Sequence, residues 1–143
     1  MSSLDETIKI KKSGTLLHAT EAAAGYDIGS NENTVLEPNQ TKVINTNVYI
    51  SIPKGYVGMI CSRSGLAAKE GIFVFNSPGI IDTDYRGELK VILANFSQKA
   101  FIIKAGDRIA QLVLVPHCSL PMEYVDELEA TNRGDGGLGS TGV

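Results

Sequence analysis

Apolar and polar residues alternate in short runs along the chain: Ile8 and Ile10, then Val48, Ile50 and Ile52, then Leu89, Val91 and Leu93. A period of two marks a strand with one covered face, so these runs predict β-strands. Over 109–115 the set Ile109, Gln111, Val113 and Val115 interleaves with Ala110, Leu112 and Leu114, and Ile72-Phe73-Val74-Phe75 is apolar on both alternating faces. Such strands need cover on both sides. A two-sheet core with local loops supplies it, and so does a subunit interface on the outer face of one sheet, the reading carried forward here. Turn formers separate the runs at Glu37-Pro38-Asn39, Pro53-Lys54-Gly55, Ser77-Pro78-Gly79 and Ala105-Gly106-Asp107, a spacing typical of sandwiches and barrels. The predicted class is all-β. Ser64–Glu70 followed by Gly71 is the best helical turn, whereas a helix over 20–24 would be stopped almost at once by Gly25.

After Glu129 the pattern ends. Five of the last ten residues are glycine, and such a stretch has little apolar surface to offset an ordering entropy of about 1–2 kcal/mol per residue. The chain therefore divides into a sandwich over 1–129 and a flexible arm over 130–143. A frayed terminus accounts for the arm; so does an anion cradle, because Arg133, Ser140 and Thr141 stand on a backbone whose amides are unshielded.

Length and charge narrow the function. The 143 residues and 15.3 kDa leave no room for a second catalytic domain, and mean hydropathy of +0.02 with 43% apolar residues suits a packed core. A net charge of −3 removes the global attraction to a nucleic-acid backbone, so neither nucleic acid nor membrane is an expected partner. Two cysteines, Cys61 and Cys118, and two histidines, His18 and His117, lack the spacing of a zinc site or a disulfide framework. These four read as structural, the cysteines as small buried hydrophobes, and Lys9, Lys11 and Lys12 as a solvated strand edge. With no secretion signal in MSSLDETIKIKK, the expected address is cytoplasmic, or nuclear for a eukaryotic or viral source.

Candidate chemistry sits in two further places. Arg63-Ser64-Gly65 puts a fork donor, a hydroxyl and a free amide at a strand-to-turn junction, a set suited to phosphate oxygens; a surface arginine with a serine N-cap is the more frequent explanation of such a tripeptide. No GxxxxGK[ST] loop is present. In 79–88, Asp82 follows an apolar pair, where a hairpin would hold it and where it could orient a water; a plain β-turn fits too. Tyr85 reads as a half-buried strand residue unless the turn is a site.

Taken together the motifs Ala24-Gly-Tyr-Asp-Ile28, Cys61-Ser-Arg-Ser-Gly-Leu-Ala67, Gly79-Ile-Ile-Asp-Thr-Asp-Tyr-Arg-Gly-Glu88, Gly106-Asp-Arg-Ile-Ala-Gln111 and Arg133-Gly-Asp-Gly-Gly-Leu-Gly-Ser-Thr-Gly142 resemble the trimeric dUTPases. The resemblance implies a distorted jelly-roll-like β-sandwich with one short helix, a homotrimer with active sites shared between subunits, and Mg²⁺-dependent hydrolysis of dUTP to dUMP and pyrophosphate. It implies that Asp82 activates the water attacking the α-phosphorus and that Gln111 places that water and the phosphates. Arg63, Ser64 and Gly65 would hold phosphates from one subunit, and Arg133, Ser140 and Thr141 would close over them from another. Asp27 would reach Mg²⁺ through water. Asn76, Gly79, Ile81, Tyr85 and Leu138 would form the uracil and deoxyribose pocket, too tight for a thymine methyl and, at Tyr85, for a ribose 2'-hydroxyl.

Two positions depart from the family pattern. Ser62 replaces a common proline, which removes a φ restraint, adds a donor and predicts a looser Arg63. Leu138 replaces a common phenylalanine, which predicts weaker closure over the base. Two rival readings remain: a dCTP deaminase of the same fold, with Glu88 as the residue activating water, and an adhesion module using Arg133-Gly134-Asp135.

Overall fold

The computed structural model describes residues 6–11 and 14–142, so Lys12 lies outside the described residues. Twelve strands and one helix follow in chain order: β1 (Lys9–Lys11), β2 (Leu16–His18), β3 (Gly25–Gly29), β4 (Thr34–Leu36), β5 (Thr41–Asn45), β6 (Tyr49–Ser51), β7 (Tyr56–Cys61), α1 (Ser64–Glu70), β8 (Ile72–Val74), β9 (Gly79–Ile81), β10 (Lys90–Asn95), β11 (Phe101–Ile103) and β12 (Arg108–Pro116). The helix covers the predicted span and ends at Gly71, whose φ of 68° is the left-handed conformation that terminates helices. Residues 20–24 form a turn instead of a helix.

The strands build a five-stranded sheet in the order β2-β3-β12-β7-β9, a three-stranded sheet β5-β10-β8, and the pairs β1-β6 and β11-β4. All four enclose one core, in which Ile28, Ile60 and Leu112 of the larger sheet meet Ile44, Val91 and Leu93 of the smaller. The apolar alternation at 48–52 and 89–93 is the alternation of this core, whereas Ile10 and Phe75 lie outside it and are exposed. Among the described residues, no helix is long and apolar enough to cross a membrane.

Register decides what faces outward. Across the large sheet, Leu17, Asp27, Gln111 and Cys61 stand opposite one another in one row, and Gly25, Val113, Met59 and Ile80 in the next. Side chains alternate between faces, so the neighbouring row of His18, Tyr26, Leu112, Ile60 and Gly79 points the other way. The outer face of this sheet is thus polar at one end and apolar at the other, with Leu17 and Ile80 each about half exposed.

Two expectations need correction. The segment 75–89 is not a ladder-bonded hairpin: β8 pairs with β10 in the small sheet and β9 with β7 in the large one, so 82–89 is a loop between sheets. Cys61 is half-buried, because it lies on the outer row of β7, and Cys118 is exposed, because it lies beyond the end of β12 at Pro116. Regular structure stops at Pro116, ahead of the compositional break at Glu129, and residues 117–135 are exposed throughout.

Leu93 is fully buried where the two main sheets meet. Leu93→Ala is expected to destabilise the protein by about 2–5 kcal/mol in urea unfolding at fixed protein concentration, and a loss below about 1 kcal/mol would remove this position from the core.

Candidate functional site

At the polar end of the outer face, Asp27 is 8% exposed on β3 and carries two guanidinium partners. Arg63 Nε lies 3.4 Å from its Oδ1, and Arg108 Nη1 lies 3.3 Å from its Oδ2. Arg63 also donates from Nη1 to the Arg108 carbonyl at 2.9 Å. Three residues from β3, the start of β12 and the junction before α1 are thereby tied into one cluster with an excess of positive charge. Arg108 was not among the candidates from the sequence. Its ion pair spans 81 residues of chain, and only its place in Gly106-Asp-Arg-Ile-Ala-Gln111 pointed to it.

Gln111 lies in the same row as Asp27, and its Nε2 donates to the Ser62 carbonyl at 2.9 Å. The serine at position 62 uses everything that a proline would lack: its N–H donates to Ser77 Oγ at 3.3 Å, and its own Oγ accepts the Val74 N–H at 2.9 Å. The strand end before Arg63 is therefore fastened to β8 and the turn after it, while Asp27 and the Arg108 carbonyl hold the guanidinium. Ser64 and Gly65 open the helix on the exposed side, and Gly65 has open space where a side chain would be.

The second group of candidates begins at Gly79, opposite Ile60 and next to the Ser62 end of β7, and runs away from it along β9. Gly79 is buried on β9, with Asn76 Nδ2 beside it in the preceding turn. Ile81 is half-buried, and Asp82 and Tyr85 are exposed. A Tyr85 N–H to Asp82 carbonyl bond of 3.2 Å closes the turn, and the Tyr85 hydroxyl donates to the Glu88 carbonyl at 2.7 Å, which folds the ring back over Gly87. Glu88 is itself engaged: its Oε2 accepts the Asn47 N–H at 2.8 Å. A glutamate so bound anchors the loop to the turn before β6.

Within one chain the far end of the second group stays away from Gln111. Gln111 stands opposite Cys61 on one flank of β7 and Ile81 opposite Gly58 on the other. Three residues along the strand and two strand spacings across it separate them by about 14 Å. The third group, Arg133, Leu138, Ser140 and Thr141, lies on the exposed arm, where Arg133 Nε donates to the Gly136 carbonyl at 2.8 Å. Among the described residues, the hydrogen bonds of 118–142 stay within that segment.

A metal would find few ligands in the chain. Among the described residues, no three His, Cys, Asp or Glu side chains converge to hold an ion, and both oxygens of Asp27 already face guanidinium groups. That donor set fits an ion whose ligands are phosphate oxygens and water, with Asp27 beyond its first layer. Elsewhere, the Glu6 carboxylate accepts the Tyr56 hydroxyl's bond at 3.1 Å and, with its charge, raises the phenol above its ordinary value. His18 stacks on Tyr26 with ring centroids 3.8 Å apart, a structural role as expected.

A cationic cluster with an amide beside it, and a polar turn carrying a tyrosine, suit a protein that binds phosphate esters. The dUTPase family model matches residues 11–142. A deoxyuridine 5'-triphosphate nucleotidohydrolase of Nautilia profundicola is 49% identical over 125 residues, 87% of this chain and 88% of that protein. The dUTPase of Staphylococcus bacteriophage 80alpha with dUPNHPP superposes with a TM-score of 0.86 at 34% identity, over 96% of this chain and 99% of that one. A D95N mutant of the phage phi11 dUTPase of S. aureus, solved with a structural Mg(II) ion, matches with a TM-score of 0.79 at 30% identity, over 87% and 99%. The chain belongs to the dUTPase family.

Asp27→Asn removes the charge both arginines share. Since Arg63 and Arg108 side chains are 34% and 47% exposed, a double-mutant cycle of Asp27→Asn with Arg108→Ala is expected to give a coupling of only about 0.5–1 kcal/mol in urea unfolding. A coupling of zero would show that the pair does not form in solution.

Proposed function

We propose that the protein hydrolyses dUTP to dUMP and pyrophosphate by attack of water on the α-phosphorus. The observation that carries this reading is the Asp27, Arg63 and Arg108 cluster with Gln111 beside it: a compact cationic group, in a family whose relatives are named for dUTP hydrolysis. Arg63, Ser64 and Gly65 bind phosphate oxygens, the guanidinium in a fork geometry already fixed by its two anchors. Asp82 accepts the proton of the attacking water, and Gln111 holds that water and the adjacent phosphate through its amide. Asn76, Gly79 and Ile81 receive the uracil edge, and Tyr85 lies against the deoxyribose. Asp27 would hold Mg²⁺ through water, and the ion would neutralise phosphate charge and favour one triphosphate conformer.

We further propose that the working unit is a homotrimer. About 14 Å of sheet already separates Gln111 from Ile81, the residue before Asp82, too far for Asp82 and Gln111 to serve one substrate within a single chain. One subunit then supplies the turn with Asp82 and Tyr85, a second the cluster with Arg63 and Gln111, and an arm over 130–143 closes the site with Arg133, Ser140, Thr141 and Leu138. The apolar end of the outer face, with Val57, Val113, Val115, Met59 and Ile80, is the surface such an assembly would bury.

Incubation with dUTP, dTTP, dCTP and UTP plus Mg²⁺ is expected to give dUMP and pyrophosphate from dUTP alone; dUTP formed from dCTP would support deamination instead. Asp82→Asn should lower kcat by about 10²–10⁴-fold while dUTP still binds, and parental turnover would refute its role.

Removal of the residues after Glu129 should abolish most hydrolysis and leave the oligomer intact in light scattering. Full activity of the truncated chain would show that the arm is not a lid.

A further inference from the structure

Gly25 is the first residue of β3 and is buried, yet its backbone does not require glycine. Its φ lies outside the left-handed range, unlike that of Gly55, Gly71 or Gly106, so alanine could adopt the same conformation. What a side chain there would meet is a single residue. A Cβ at position 25 would run into Gln111 Oε1, with Gln111 Cδ at 3.1 Å and Gln111 Cβ at 3.3 Å, and these are the three nearest heavy atoms. Gly58, by contrast, would press on Ile52, Ile81 and Leu112 of the core.

Sheet register explains the contact. Asp27 is directly opposite Gln111, and Gly25 is opposite Val113, two residues further along the same face. Gln111 therefore lies diagonally across β3, within reach of a long side chain. Its amide rests over the bare backbone of Gly25 on one side and donates to the Ser62 carbonyl on the other. A glutamine on an outer sheet face ordinarily has several rotamers open to it; here one carbonyl and one missing methyl select a single seat.

We propose that Gly25 is a positioning residue for hydrolysis: by carrying no side chain it gives the Gln111 amide the place from which that amide holds the water and phosphate. The inference rests on the role given to Gln111 above. It makes a distinctive prediction, because the clash is with the end of a flexible side chain and not with the core. Stability should change little while chemistry suffers.

The test is a double-mutant cycle on the full-length protein with dUTP and Mg²⁺, reading kcat, KM and the thermal midpoint for Gly25→Ala, Gln111→Ala and the pair. Gly25→Ala and Gln111→Ala should each lower kcat on the order of 10²-fold, with KM changing less. The pair should be no slower than Gln111→Ala alone, since the second change has nothing left to displace. The thermal midpoint of Gly25→Ala should stay near that of the parent. Parental kcat in Gly25→Ala with a depressed Gln111→Ala would overturn the inference and leave the role of Gln111 standing; parental kcat in Gln111→Ala would overturn both. Additive losses in the pair, or failure of Gly25→Ala to fold even when Gln111 is alanine, would show that glycine serves the sheet itself and would also overturn it.

Discussion

The register of β12 between β3 and β7 is the constraint on which the rest depends. One strand supplies Ala110, Leu112 and Leu114 to the inner side and Gln111, Val113 and Val115 to the outer, so a slip of one residue would exchange core for site. Ladders to both neighbours hold it, and a bulge between Arg108 and Ala110 lets the strand begin with its arginine turned toward Asp27. Burial of Leu112 and placement of Gln111 are thus one structural fact. Selection for a stable core and for a positioned amide act on the same pairing.

The same register accounts for what could be read in advance. Alternation at 89–93 and 109–115 reports directly on burial, since a strand's faces are two residues apart whatever the fold around it. The helix over 64–70 was legible because Gly71 stops it in a conformation other residues avoid. The five motifs pointed to residues, and most of these lie in two clusters and an arm.

What could not be read is contact across the chain. Nothing local at Arg108 announces a carboxylate 81 residues away, and nothing at Gly25 distinguishes a glycine needed for space from one needed for its backbone angles. The connection after β9 was misread as a hairpin because turn residues between apolar runs look alike whether the next strand pairs with the last or crosses to another sheet. Ser62 shows the opposite error. Loss of a proline suggested slack before Arg63, but the freed N–H and the new hydroxyl each found a partner on the neighbouring segment, and a restraint written in φ was exchanged for one written in hydrogen bonds.

Charge adds the last step. The chain carries −3 overall, which opposes the approach of a triphosphate from a distance, yet the cluster sets two guanidiniums against one carboxylate. At an ionic strength near 0.15 M the overall repulsion fades within about 8 Å, whereas the local excess acts on a ligand already seated, where water is thinned and forked hydrogen bonds add to it. Asp27 keeps the excess small. It lets two arginines stand close enough for one to hydrogen-bond the other's backbone, which unscreened repulsion would resist, and so converts charge that might only attract phosphate into charge that also orients it.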